Sequence, residues 1–128
     1  MPKCRVLALL DTLRYLEMGG RLSRAQAVIG TMLDLKPVLL VSENAQIKAV
    51  DRVRTRSRAI PRMVEFFRSE QPVEYVAVMH AQAKEDAERI ASDLRSEFPN
   101  QEITIGQIGS VLGTHTGPRA LGIVYIKG

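Results

Sequence analysis

Aromatic residues are scarce in this chain of 128: three Phe, three Tyr and no Trp, 5% in all. Modules that bind nucleic acid by stacking bases on rings are therefore not expected, and no nucleic-acid partner is. A single cysteine, Cys4, excludes a disulfide within the chain. No histidine lies near it in sequence, and it reads as a buried apolar residue. The two histidines, His80 and His115, stand alone, without CxxC or HExxH spacing. No metal site follows from them. No apolar run reaches the roughly 18 residues of a membrane-spanning helix, and the first residues lack a signal peptide's long apolar stretch and cleavage site. The expected compartment is the cytoplasm. A GxxxxGK phosphate loop is missing, Asp34 and Glu43 form no evident acid–base pair, and no nucleophile–base–orienter set is visible. The residues point to a binding protein and not an enzyme, with no cofactor.

What is present is ordinary for a globular domain: 45% hydrophobic and 25% charged residues. The length suits one domain, 1–128, large enough to bury a core without staples. No linker, repeat or low-complexity tract divides it. The net charge of +4 has a local source. Arg52, Arg54, Arg56, Arg58 and Arg62 crowd into eleven positions. If one strand carried the first four, alternation would place them on one side and build a patch for phosphates, an anionic membrane or an acidic protein. If the chain turns near Thr55 the charges splay and are merely solvated, which is the preferred reading.

The apolar pattern gives the order β-α-α-β-β-α-β-α-β-β. Arg5–Leu10 reads as a buried strand. Asp11 or Thr12 can cap a short helix that Gly19-Gly20 stops, and Ser23-x-x-Gln26 is a capping box for a helix over about 24–33. Strands follow at Lys36–Ser42 and Gln46–Val53, joined by a hairpin at Glu43-Asn44. A helix begins near Pro61, since proline suits a first turn, and Ile60, Met63, Val64 and Phe67 share its face. Val73–Met79 is a strand ending at His80, which reads as a packed or capping residue. Gln82–Phe98 is the clearest helix, with Ala83, Ala87, Ile90, Leu94 and Phe98 on one side. Glu102–Ile108 and Leu121–Lys127 complete the set. The hairpin implies an antiparallel pair, and the strand–helix–strand from 73 to 108 implies a parallel pair. The expected fold is α/β: a two-layer sandwich of a mixed six-stranded sheet with helices packed on it.

Between the last two strands lies the most distinctive segment. Gly109, Gly113 and Gly117 punctuate it, and Thr114 and Thr116 flank His115. An imidazole N–H beside hydroxyls can hydrogen-bond an anion, and glycines let a ligand approach the backbone. The competing reading is a tight turn with a solvated histidine.

Gly113-Thr114-His115-Thr116-Gly117-Pro118, followed by Ala120-Leu121-Gly122, resembles a signature of the DegV family of bacterial fatty-acid-binding proteins. Asp11-Thr12-Leu13-Arg14-Tyr15-Leu16 with Gly19-Gly20-Arg21 is similar to the family's DTL-x-YL-x-x-GGR segment. Leu33-Asp34-Leu35-Lys36-Pro37-Val38-Leu39 is similar to its L-x-I-K-P-I-L segment. The three blocks keep family order and spacing from residue 11 to 122, and all belong to the C-terminal domain of a two-domain protein. The resemblance implies the same α/β fold, shared with dihydroxyacetone-kinase substrate domains, and the absence of the N-terminal domain from this sequence.

It further implies that His115 contacts a fatty-acid carboxylate on a loop shaped by Thr114, Thr116 and Gly117, opposite hydroxyls of the missing N-terminal domain. A carboxylate leaving water must keep its hydrogen bonds, and an imidazole N–H supplies one. Arg119 stands where the family usually has glycine; it either adds a cation near the carboxylate or points outward. Ile29, Met32, Leu33, Leu39, Ile105 and Ile123 are candidates to line the acyl chain, though all are ordinary core residues too. Long-chain fatty acid is the implied ligand and a fatty acid kinase the implied partner, the carrier itself supplying no catalysis. Two alternatives stay open: a dihydroxyacetone-kinase-like substrate-binding domain, whose histidine would bind the substrate covalently, or a stand-alone module that self-associates through the face left bare.

Overall fold

Apolar residues at alternate positions set the strands. A computed structural model describes residues 3–10, 36–42, 47–108 and 119–127. Within them lie β1 (Lys3–Leu9), β2 (Lys36–Val41), β3 (Ile47–Val53), α1 (Arg56–Ser69), β4 (Val73–His80), α2 (Lys84–Glu97), β5 (Ile103–Gln107) and β6 (Leu121–Lys127). The strands form one mixed six-stranded sheet in the order β3-β2-β1-β6-β4-β5. The β4–β5 pair is parallel and the other neighbours are antiparallel. The expected α/β sheet, its hairpin pairing and its parallel pair are all found. The two helices expected between residues 11 and 33, and the turn at Glu43-Asn44, lie outside the described residues.

One face of the sheet carries the main core. Leu7 and Leu9, Val38 and Leu40, Val76 and Val78, and Ile123 and Tyr125 share it with Ala59, Met63 and Phe67 of α1 and Ala87, Ile90, Ala91 and Leu94 of α2. The i, i+3, i+4 spacing in each helix puts these residues on one stripe. Each large side chain so buried is worth about 1.5–3 kcal/mol. Phe67 meets Tyr125 edge to face with ring centroids 5.3 Å apart, and Phe98 at 6.0 Å. The odd-numbered neighbours on β2 and β3 face the other way: Leu39 with Ala49 and Ile47 forms a smaller cluster with Leu10, Ala81 and Ala120.

A polar knot fixes the end of α1 to the sheet. Glu70, the C-cap residue and only 6% exposed, accepts hydrogen bonds from the Tyr125 hydroxyl (2.9 Å), Arg5 Nη1 (3.3 Å) and Lys127 Nζ (2.7 Å). Burial pushes the Glu70 carboxyl up, but hydrogen bonds from Lys127 and Tyr125, with the charges of Lys127 and Arg5, outweigh it and hold the group below the usual carboxylate range. For Tyr125, burial first and the bond to Glu70 second push the phenol well above its ordinary range, so it stays a donor.

Two expectations are corrected, for the start of α1 and for Cys4, and the chain leaves the strand near Thr55 as the preferred reading of the arginines has it. α1 begins at Arg56 and not near Pro61, so the proline lies inside the helix. Thr55 is extended, and its carbonyl accepts from Arg58 (3.2 Å) and Ala59 (3.0 Å), which starts the helix a turn and a half before the proline. The strand ends at Val53, so Arg52, Arg54, Arg56 and Arg58 do not share one strand face. Arg54 and Arg58 are exposed, while Arg62 pairs with Asp51 at 3.6 Å. Cys4 is exposed, because it lies near the start of β1 on the side away from the helices, opposite Ile126.

Candidate functional site

β4 ends beside the start of β6, and their register pairs His80 with Leu121. Ile108 follows β5 and Arg119 precedes β6, and these two residues flank the glycine-histidine segment in the sequence. Both are tied to the same two residues of β4's end. Ile108 N donates to the His80 carbonyl at 2.7 Å, and Arg119 N donates to the Ala81 carbonyl at 2.6 Å. Ala81 N in turn donates to the Ala120 carbonyl at 3.0 Å. Backbone groups therefore bring residues 108 and 119 to one place, the His80–Ala81 corner.

The corner is a tight turn. Gln82 has φ 53 and Arg119 has φ 68, both in the left-handed region. That conformation costs a non-glycine residue about 1–2 kcal/mol, and it persists where surrounding bonds over-determine it. Here the bonds are visible. His80 is 6% exposed, and its Nδ1 accepts from Ala83 N at 3.1 Å across the turn. An Nδ1 that accepts from a backbone N–H is unprotonated, so the neutral ring carries its proton on Nε2. The capping role read from sequence for His80 is thus present. The Arg119 carbonyl accepts from Arg56 Nη1 at 2.6 Å, and Arg56 Nε and Nη2 both bind Asp86 Oδ2, at 3.0 and 2.8 Å. One arginine joins the starts of α1, α2 and β6.

An open cleft of about 1000 Å³ adjoins the corner, lined by His80, Lys84, Glu88, Ile105, Gln107 and Arg119 among others. The structure thus brings together Arg119 and Ile105 of the sequence candidates, and adds His80. Arg119 is exposed, in the left-handed backbone that a glycine would adopt without strain. Leu39 and Ile123 do not line the cleft, although Leu39 packs in one cluster with Ala81, Ala120 and Ile108 of the corner. Leu39 belongs to the small cluster, whereas Ile123, fully buried, sits in the main core under the helices. His115, Thr114, Thr116, Gly117, Ile29, Met32 and Leu33 lie outside the described residues.

Sequence reasoning missed Arg56 and Asp86 as supports of this corner. No local spacing signals them, because Arg56 reaches partners 30 and 63 residues away. Among the described residues no helix is long and apolar enough to cross a membrane.

The family model described as "Uncharacterised protein, DegV family" matches residues 1–128. Protein DegV of Bacillus subtilis is 38% identical over 125 residues, which cover 94% of this chain and 44% of that protein. The crystal structure of DegV from Bacillus subtilis, described as a fatty acid binding protein, superposes with a TM-score of 0.80 at 37% identity, covering 98% of this chain and 45% of that one. A fatty acid binding DegV family protein from Streptococcus agalactiae gives a TM-score of 0.82 at 28% identity, again over 98% and 45%. The chain thus spans a little under half the length of the relatives it matches. With the family model matched from the first residue to the last, the chain belongs to the DegV family.

Proposed function

We propose that this chain is the C-terminal domain, 1–128, of a fatty-acid carrier, and that its glycine-histidine loop supplies the carboxylate contact. The observation that carries the reading is the anchoring of that loop's two ends, Ile108 and Arg119, on one buried corner beside an open cleft. A corner of this kind presents a loop without moving its base. The fatty-acid binding of relatives 37% and 28% identical supplies the ligand class. His115 donates to the carboxylate, Thr114, Thr116 and Gly117 shape the loop, and Arg119 adds a nearby cation. The remaining carboxylate contacts come from an N-terminal domain. The carrier presents its acyl carboxylate to a fatty acid kinase and performs no chemistry itself.

The test is calorimetric titration with oleate. The isolated chain should bind weakly or not at all, because an incompletely matched carboxylate stays in water. With the N-terminal domain present, binding should become stoichiometric. His115→Ala should then weaken it about tenfold or more, the worth of one hydrogen bond to a charged group. Tight binding to the isolated chain, or an unchanged affinity in His115→Ala, would overturn the reading.

A further inference from the structure

His80 contributes two separate acceptors to the corner. Its backbone carbonyl receives Ile108 N, and its side-chain Nδ1 receives Ala83 N. Between these lies Ala81, whose carbonyl receives Arg119 N. Gln82 follows in the left-handed region. A four-residue turn held in that conformation relaxes unless something crosses it. Across 80–83 the crossing bond is Nδ1···H–N of Ala83. Ala83 N is also the N-cap amide of α2, where no side-chain cap is present. The imidazole therefore holds the turn closed, satisfies a buried amide at a helix start and keeps Ala81 aimed at β6.

We propose that His80 is a positioning residue for Ile108 and Arg119, the residues on either side of the glycine-histidine segment, acting through Nδ1 and not through contact with ligand. The role rests on the carrier reading for its effect on fatty acid, but not for its effect on the loop's ends. Without the Nδ1 acceptor the turn opens, Ala81 swings, and residues 108 and 119 lose their common base. On the carrier reading, affinity falls with the fraction of time that residues 108 and 119 share that base.

The two ring nitrogens can be separated by substitution. Asparagine places an acceptor oxygen where Nδ1 stands, while glutamine places its polar end where Nε2 stands. Hydrogen exchange of the Ile108, Ala83 and Arg119 amides would be followed for wild type, His80→Asn, His80→Gln and His80→Ala, together with oleate affinity, in the protein that carries the N-terminal domain. The expected result is slow exchange in wild type and His80→Asn, and exchange faster by about tenfold in the other two, matching the loss of one hydrogen bond. Oleate affinity should follow the same order. Slow exchange in all four proteins would overturn the proposal, as would faster exchange in His80→Asn alone. So would an affinity kept by His80→Gln and lost by His80→Asn, which would make Nε2 the working atom. If exchange follows the expected order but wild type binds no oleate, His80 still positions Ile108 and Arg119 and it is the carrier reading that fails.

Discussion

A carboxylate with three donors is tolerated at 6% exposure because each oxygen keeps its hydrogen bonds. Glu70 shows what that arrangement does to stability. Its folded-state pKa is depressed, so its contribution is complete above the unfolded value and is lost as pH falls through the folded one. Replacing the charge removes that dependence. Glu70→Gln should destabilise the domain by about 2 kcal/mol at neutral pH. The gap to wild type should then close on acidification below the usual carboxylate range. Urea unfolding at a series of pH values tests it. Parallel stability curves for the two proteins would show that the ionised form adds nothing.

At the scale of elements, the ends matter more than the middles. Arg56 caps no helix by itself, yet it ties the first turns of α1 and α2 to the start of β6. Its guanidinium uses three nitrogens in a planar fork that an ammonium cannot copy. Arg56→Ala should therefore cost about 2 kcal/mol, with Arg56→Lys recovering little of it. Arg58→Ala, an exposed change two residues on, should stay within about 0.5 kcal/mol. Thermal unfolding of the three variants separates a structural arginine from a solvated one, and equal shifts would refute the distinction.

The same elements show what the sequence made legible. Val73–His80 and Lys84–Glu97 carry clean periodicities, and both were placed to within two residues. The start of α1 was misplaced by five residues because Pro61 signals a first turn locally, while packing of Ala59 and Met63 on the sheet selects a longer helix. The loop motif is conspicuous in the sequence, but the backbone bonds that hold Ile108 and Arg119 on either side of it are not. His80 reads as an ordinary strand-end histidine until Ile108 and Arg119 arrive beside it from 28 and 39 residues downstream. Cys4 is a similar case: it is exposed because it lies near the start of β1 on the side of the sheet away from the helices, a placement that no local pattern records.

For the whole molecule, the decisive fact is where β6 lies. β1, β2 and β3 pair among themselves with α1 packed on them, and β4 and β5 pair with α2 on them. No described ladder joins β1 to β4; β6 sits between them and is hydrogen-bonded to both. The domain is thus two half-sheets and a keystone, and the keystone comes last of the six described strands in chain order. Until Lys127 has emerged, the nascent chain holds two apolar half-sheets with facing edges unpaired, a state that invites chaperones. Folding should therefore be late and abrupt during synthesis. Arrest-peptide force profiles should show their pull only at lengths that free all of β6. A pull at lengths that free residues up to 108 alone would mean that one half closes without its keystone. In the cell, then, a message truncated anywhere before β6 would yield a client for proteases and not a partial domain.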